Sequence, residues 1–478
     1  MLSGESSGAR ATNEVARRAV ALTIMLGTTS VVLATTILNV VLPDIMREFA
    51  VDQGRVQWLA TGFLSAMAAT MLTAAWWVRA YGLRRTYCVA LAIFVVVSLI
   101  GGYATSIDAL ILSRIAQGAV AGVIQPLAMI ALFEAYPVEE RGSAMAAYGL
   151  GVVLSPALGP ALGGLLGQAF GWRAVFFVTL PLCLAALALA PAKLARFAPA
   201  AGRRPAFDGW GFLLLCSFLL FVLGGLAHAQ RAGLTPAGVA FAAAGSFVCG
   251  AAFIAWEARH RNPMFDPRVF RNPAFAAASA VGFAYGMGLY GSTFLMPLFV
   301  QTISGFSVLE AGMLLLPGGL VLALCIPLAG RLTDRHSPHY IVCAGLACFA
   351  LSFFLFGNSS ADTGFWMLAA WIALGRLGLA MMIPALNAGA VQGLPLTQIA
   401  QGAGALNFAR QLGGAFGTSL LSLLLQWRLA AHQQEAMTAL EAATRAFDES
   451  FIAVGLVFLF ALWPGWRIRR TAFPHGPQ

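Results

Sequence analysis

The chain has 478 residues, of which 59% are hydrophobic and only 10% charged, and its mean hydropathy is +0.80. Ordinary globular chains carry about 25% charged residues, so a water-soluble domain is excluded. The net charge of +10 would fit a nucleic-acid partner only if the basic residues formed a patch, and they do not.

Apolar runs of about 20 residues recur along the chain, the length that crosses a ~30 Å hydrocarbon core as helix. A membrane β-barrel would show short alternating segments instead. An all-α membrane protein with fourteen spans is therefore predicted. Arg10, Arg17 and Arg18 precede the first run, 20–42. That run exceeds the roughly 7–15 residues of a signal-peptide core and ends at Pro43-Asp44 without a small-residue cleavage site, so it is expected to be a retained span. Five more follow at 56–78, 86–105, 109–132, 143–168 and 173–192. A basic linker at 193–208 leads to spans at 209–229 and 235–256, and a second at 257–273 to the last six. These lie at 274–300, 308–330, 340–357, 363–387, 400–426 and 450–466.

Short cytoplasmic loops carry the excess of Lys and Arg. With the N-terminus inside and fourteen crossings, twenty of the 29 Lys and Arg fall on the inner side and six on the outer. Both termini are thus expected in the cytoplasm, and the high pI is a topology signal that requires no nucleic acid.

The other three basic residues, Arg114, Arg376 and Arg410, lie within spans, where charge is costly and marks a functional site by default. Arg114 is the clearest; its alternative is a structural arginine paired with carbonyls or a carboxylate between helices. Arg376 and Arg410 could instead snorkel toward an end. Carboxylates are nearly absent from the spans: Glu134 and Asp334 sit at inner ends, Asp44 and Glu310 at outer ends. His228, near the end of the seventh span, is a conceivable titrating group. Small-xxx-small pairs (Gly118/Gly122, Gly159/Gly163, Gly163/Gly167, Gly282/Gly286, Gly413/Gly417) would let helix backbones approach closely. Pro156 and Pro160 within SPALGPALGG permit a bend.

Seven cysteines lie in apolar segments with no CxxC pair, so neither a metal site nor a disulfide framework is indicated. The single lysine, Lys193, follows no Gly-rich loop, and HExxH and GxSxG are absent. ATP hydrolysis and peptidase or esterase chemistry are not expected, and no cofactor is called for.

Several segments resemble the major facilitator superfamily, and within it the fourteen-span EmrB/QacA-type drug:proton antiporters. LATTILNVVLP (33–43) is similar to the span 1 signature, and LILSRIAQG (110–118) to the buried Arg-x-x-Gln-Gly motif. GVVLSPALGPALGG (151–164) resembles the antiporter motif of exporters. LLPGGLVLALCIPLAGRLTDR (315–335) resembles the repeated cytoplasmic loop motif, and NFARQLGGAFGTS (407–419) a late span of the group. The resemblance implies two six-helix bundles, 20–192 and 274–466, joined by the linkers and extra spans of 193–273 and flanked by cytoplasmic tails 1–19 and 467–478. It implies alternating access in a bacterial inner membrane and export of hydrophobic or amphipathic compounds against protons. Arg114, Gln117 and Arg410 would serve coupling. Gly151, Pro156, Gly159, Pro160, Gly163 and Gly164 would serve gating. Arg79, Gly82, Gly330, Asp334 and Arg335 would form the cytoplasmic loop motifs. Asn39, Gln125, Asn387 and Asn407 would line the cavity, together with Gln117, aromatics and Met. Two departures stand out: Ala34 replaces the family's span 1 aspartate, and Arg79 stands where an aspartate is usual. Segment 427–449 reads as a short outer amphipathic helix, and the resemblance implies a periplasmic adaptor as partner. A dedicated exporter or uniporter of one metabolite or lipid remains an alternative, as does a non-transporting sensor or assembly subunit.

Overall fold

The computed structural model describes residues 3–51, 53–56, 58–137, 140–195, 206–232, 235–260, 263–392, 394–395, 398–434 and 437–468. Regular structure among them is entirely helical. Helix α1 (Ser3–Thr36) tightens into a 3-10 turn (Ile37–Val41), followed by α2 (Leu42–Phe49), α3 (Gln53–Val56), α4 (Trp58–Met71) and α5 (Ala74–Tyr81). Next come α6 (Leu83–Gly102), α7 (Ile107–Ala135), α8 (Arg141–Phe170), α9 (Ala174–Phe177), α10 (Leu180–Lys193), α11 (Gly209–Ala232) and α12 (Pro236–Arg259). The chain ends with α13 (Pro273–Thr302), α14 (Val308–Arg335), α15 (Pro338–Phe356), α16 (Phe365–Val391), α17 (Ile399–His432) and α18 (Ala439–Trp466).

Among the described residues, eleven helices are long and apolar enough to cross a membrane, or twelve if α4 and α5, bent by 55°, make one span. This is fewer than the fourteen expected. Helices α8 and α17, at 30 and 34 residues, have the length but stand outside that set. In α17 the reason is visible: Gln401, Asn407, Arg410 and Gln411 are all buried, so polar groups that face protein lower the hydropathy of the whole helix. The expected separate helix at 427–449 does not form. Instead α17 runs on to His432, and α18 opens at Ala439 with a Thr438–Glu441 capping box.

The chain divides into two compact units: 1–216 with 255–266 and 399–405, and 217–254 with 267–398 and 406–478. Lipid tails are as apolar as leucine, so helices associate in a membrane through close packing and not through exclusion of water. Glycine supplies that closeness. In the first unit, a Cβ added at Gly118 or Gly122 of α7 would stand 2.1 Å from the carbonyl oxygen of Phe63 or Met67 on α4. In the second, a Cβ at Gly286 of α13 would meet the Arg410 carbonyl at 1.9 Å, and one at Gly413 of α17 the Phe283 carbonyl at 2.0 Å. Helices α15 and α16 meet in the same way at Gly345 and Gly378. Aromatic rings fill the rest of that unit: Phe299 packs edge-on against Phe356, Phe447 and Phe451, and Phe349 lies 4.2 Å from Phe458.

Candidate functional site

In the first unit, α7 carries Arg114 into the protein interior, where it is 2% exposed. Its Nε donates to the Leu59 carbonyl (3.1 Å), Nη1 to Gln117 Oε1 (2.9 Å) and Nη2 to the Ala34 carbonyl (3.0 Å). The guanidinium also covers the Phe63 ring at 4.1 Å. Gln117 passes the network on, donating to Ser98 Oγ at 2.7 Å, and Ser98 donates to the Phe94 carbonyl. One side chain thus ties α7 to α1 and α4, and through Gln117 to α6. Among the described residues Arg114 has no carboxylate partner. The span 1 position that lacks the expected aspartate still contributes, because the Ala34 carbonyl accepts regardless of side chain.

Helix α8 lies along α1 through its glycines. A Cβ at Gly159 would meet Thr36 Oγ1 at 2.1 Å, one at Gly163 the Ile37 carbonyl at 2.3 Å, and one at Gly151 Thr29 Oγ1 at 3.0 Å. Gly164 is different, with Val40 Cγ1 at an ordinary 3.6 Å. The contact falls where α1 gives way to its 3-10 turn. The side chains of Pro156, Pro160 and Asn39 lie outside the described residues. Gln125, beside Pro126 in α7, is buried.

The second unit repeats the i, i+3 pairing seen in Arg114–Gln117: Arg410 Nη2 donates to Asn407 Oδ1, and both residues are buried. Other buried polar groups of this unit lack protein partners. Asn387, 1% exposed, has neither its amide nitrogen nor its oxygen engaged, and the hydroxyls of Tyr285 and Ser279 are likewise unpaired. Arg410 and Arg376 both act electrostatically on Tyr285. A buried polar group left unpaired costs about 1–3 kcal/mol, so each of these calls for a hydrogen-bond partner from outside the chain, water or a bound molecule. Asn387 was legible in sequence as an amide within a span. Tyr285 and Ser279 were not, because nothing local distinguishes a paired hydroxyl from an unpaired one.

The family model of the Major Facilitator Superfamily matches residues 24–418. The chain belongs to this family. It is 32% identical over 398 residues to the "Multidrug resistance protein B homolog" of Mycobacterium tuberculosis (strain ATCC 25618 / H37Rv), covering 82% of this chain and 73% of the relative. It is 28% identical to "Multidrug export protein EmrB" of Haemophilus influenzae over 87% of this chain and 81% of that one. The crystal structure of the human organic anion transporter MFSD10 (TETRAN) superposes with a TM-score of 0.66 at 16% identity, over 94% and 99% of the two chains. This likeness shows the fold.

Within this major facilitator protein, the loop-motif residues occupy helix ends. Gly82 joins α5 to α6 with φ +78°, a conformation that an L side chain rarely adopts. Its carbonyl accepts from Thr86 Oγ1 at 2.8 Å. Arg79 Nη2 donates to the Pro263 carbonyl at 3.2 Å. Gly330 is buried in α14, whose last turn holds a half-buried Asp334 and an exposed Arg335. At the opposite end of the first unit, Glu48 accepts from Trp172 Nε1 at 2.6 Å and pairs with Arg173 at 2.7 Å. These bonds, that from Arg173 foremost, hold the Glu48 carboxyl below the usual glutamate range. The His228 imidazole lies near Gly238.

Proposed function

We propose that this major facilitator protein is a secondary active exporter of hydrophobic or amphipathic compounds, working by alternating access and proton antiport. The observation that carries the reading is the set of unpaired polar groups, Asn387 and Tyr285, buried in the second unit. A site of that kind binds by apolar burial and uses a few polar groups to orient its ligand. The names of the relatives, a multidrug export protein and a multidrug resistance protein, supply the direction of transport and the breadth of substrate.

In this reading Asn387, Tyr285 and Asn407 of the second unit contact substrate, and Arg410 and Arg376 set the electrostatics around it. Arg114 and Gln117 couple movements of α1, α4, α6 and α7. Gly151, Gly159 and Gly163 form the packed seam of α8 on α1 that resists leak, and Pro156, Pro160 and Gly164 belong to the same gating motif. The two working halves are 20–192 and 274–466, with 193–273 inserted between them. Both termini face the cytoplasm of a bacterial inner membrane, where Gly82, Gly330, Asp334 and Arg335 shape the cytoplasmic ends. The proposal includes an outer-side adaptor protein, the partner implied by the resemblance to EmrB-type carriers. Ala34 favours a second reading, a uniporter or single-substrate exporter without proton coupling, since the acid usual at that position is gone.

The test is proton flux in everted vesicles challenged with cationic, neutral and anionic hydrophobic compounds. Proton release on adding a compound, lost in Arg114→Ala while the protein stays inserted, is the expected result. Compound movement without proton release would overturn antiport: equilibration without accumulation would select uniport, and accumulation an exporter driven by another ion.

A further inference from the structure

Among the described residues only two carboxylates are buried, Asp208 at 3% and Glu257 at 1% exposure. They flank the extra helix pair, Asp208 just before α11 and Glu257 near the end of α12. Side chains of the two helices interlock along their length: a Cβ at Gly245 would strike Phe221, and one at Gly225 would strike Ala242. The antiparallel hairpin therefore brings its two ends, and both acids, together.

The oxygens are unequally satisfied. Asp208 Oδ1 accepts from the Gly211 N–H at 2.8 Å, and Trp256 Nε1 lies 3.0 Å from both Asp208 oxygens. Glu257 Oε2 accepts from the Phe265 N–H at 3.3 Å, but Oε1 is buried with no partner. A Cβ on Gly211 would stand 2.6 Å from Asp208 Oδ2 and 2.6 Å from Glu257 Oε1, which limits the gap between those oxygens to twice that distance. Among the described residues, Arg79 and Asp266 act on Glu257, and Arg259 and His260 follow it in the chain. Arg79 of α5 acts on Glu257 and reaches the Pro263 carbonyl. Asp266 adds like charge from the linker. His260 stacks on Trp256 at 5.5 Å, and Arg259 is exposed at the end of α12.

Burial, and after it the neighbouring carboxylate, penalise the charged form of Glu257. A hard divalent ion would want six or more oxygens, and no group of three or more metal-ligating side chains is found among the described residues. A proton needs no such set of ligands, only Glu257 Oε1, which has no other partner, with Asp208 Oδ2 beside it.

We propose that Asp208 and Glu257 form a proton-binding site, holding one proton between Oδ2 and Oε1. Release of that proton leaves a second negative charge facing Arg79, which tightens the attachment of 208–216 and 255–266 to α5. Arg79 carries the charge opposite to the pair, and an acid in its place would repel it. The site would exist in an exporter with or without proton coupling, so its test is independent of transport.

The experiment is a pH titration of the purified protein in lipid, followed by the infrared carbonyl stretch of protonated carboxyl groups. Wild type should show a band that disappears on deprotonation and is absent from Glu257→Gln. In Asp208→Asn the like charge is gone, so the band should titrate at lower pH. In Arg79→Gln, which keeps both acids, it should move to higher pH. Each shift should be about one pH unit, a tenfold change in proton affinity. Spectra of Glu257→Gln identical to wild type, or an unmoved titration in Arg79→Gln, would overturn the proposal. Loss of the band on adding sodium at fixed pH would replace the proton with a metal cation and overturn it too.

Discussion

Arg114 and Glu48 are both charged groups held by hydrogen bonds, but they differ in what their sequence neighbourhoods reveal. Arg114 stands out in an apolar run, and its partners turn out to be two carbonyls and one amide. Backbone carbonyls leave no trace in composition, so their identity could not be read from sequence. Glu48 is one of several acids near a helix end, and only the fold brings Trp172 and Arg173 to it. Its folded carboxyl titrates below the unfolded one. The stabilisation is therefore present above the unfolded glutamate range, near pH 4.3, and is lost as pH falls through the lowered folded value. Glu48→Gln should lower the melting temperature at pH 7 by no more than about 2 °C, since the pair is partly exposed. The difference from wild type should vanish in acid; a gap that persists there would show that the loss is one of packing.

At the scale of helices, glycine spacing pointed to close approaches without naming the partners. Gly118 and Gly164 both belong to recognisable motifs, yet one abuts backbone and the other has room. Gly118→Ala would push a methyl to 2.1 Å from the Phe63 carbonyl oxygen, which the backbone of α4 cannot yield without moving. Overpacking of this kind costs about 1–3 kcal/mol, so melting of the purified variant should fall clearly below wild type. Gly164→Ala meets only Val40 Cγ1 at 3.6 Å and should melt at or slightly above wild type, because alanine is the better helix former. Equal melting of the two variants would remove the packing account. The break between α4 and α5 was invisible in the apolar run 56–78. It is made by Thr73, whose N–H and hydroxyl both turn back to the Thr70 carbonyl.

For the whole molecule, the Lys and Arg distribution carries a prediction of orientation. A fluorescent protein that matures only in the cytoplasm, fused after residue 478, should fluoresce. The same protein inserted in the connection after His432 should stay dark. The reverse pattern would overturn the orientation.

Hydropathy and charge are summed over stretches of about 20 residues and need no partner. For that reason the sequence by itself determined the membrane class, most of the spans and the family, whose motifs are local strings. Tertiary structure alone decided which groups meet. Asp208 and Glu257 belong to opposite ends of a helical hairpin, Ala34 serves Arg114 through its backbone, and Tyr285 is an orphan only because of what surrounds it. Pairing and burial depend on residues far apart in the chain, and a pattern read along the chain does not contain them.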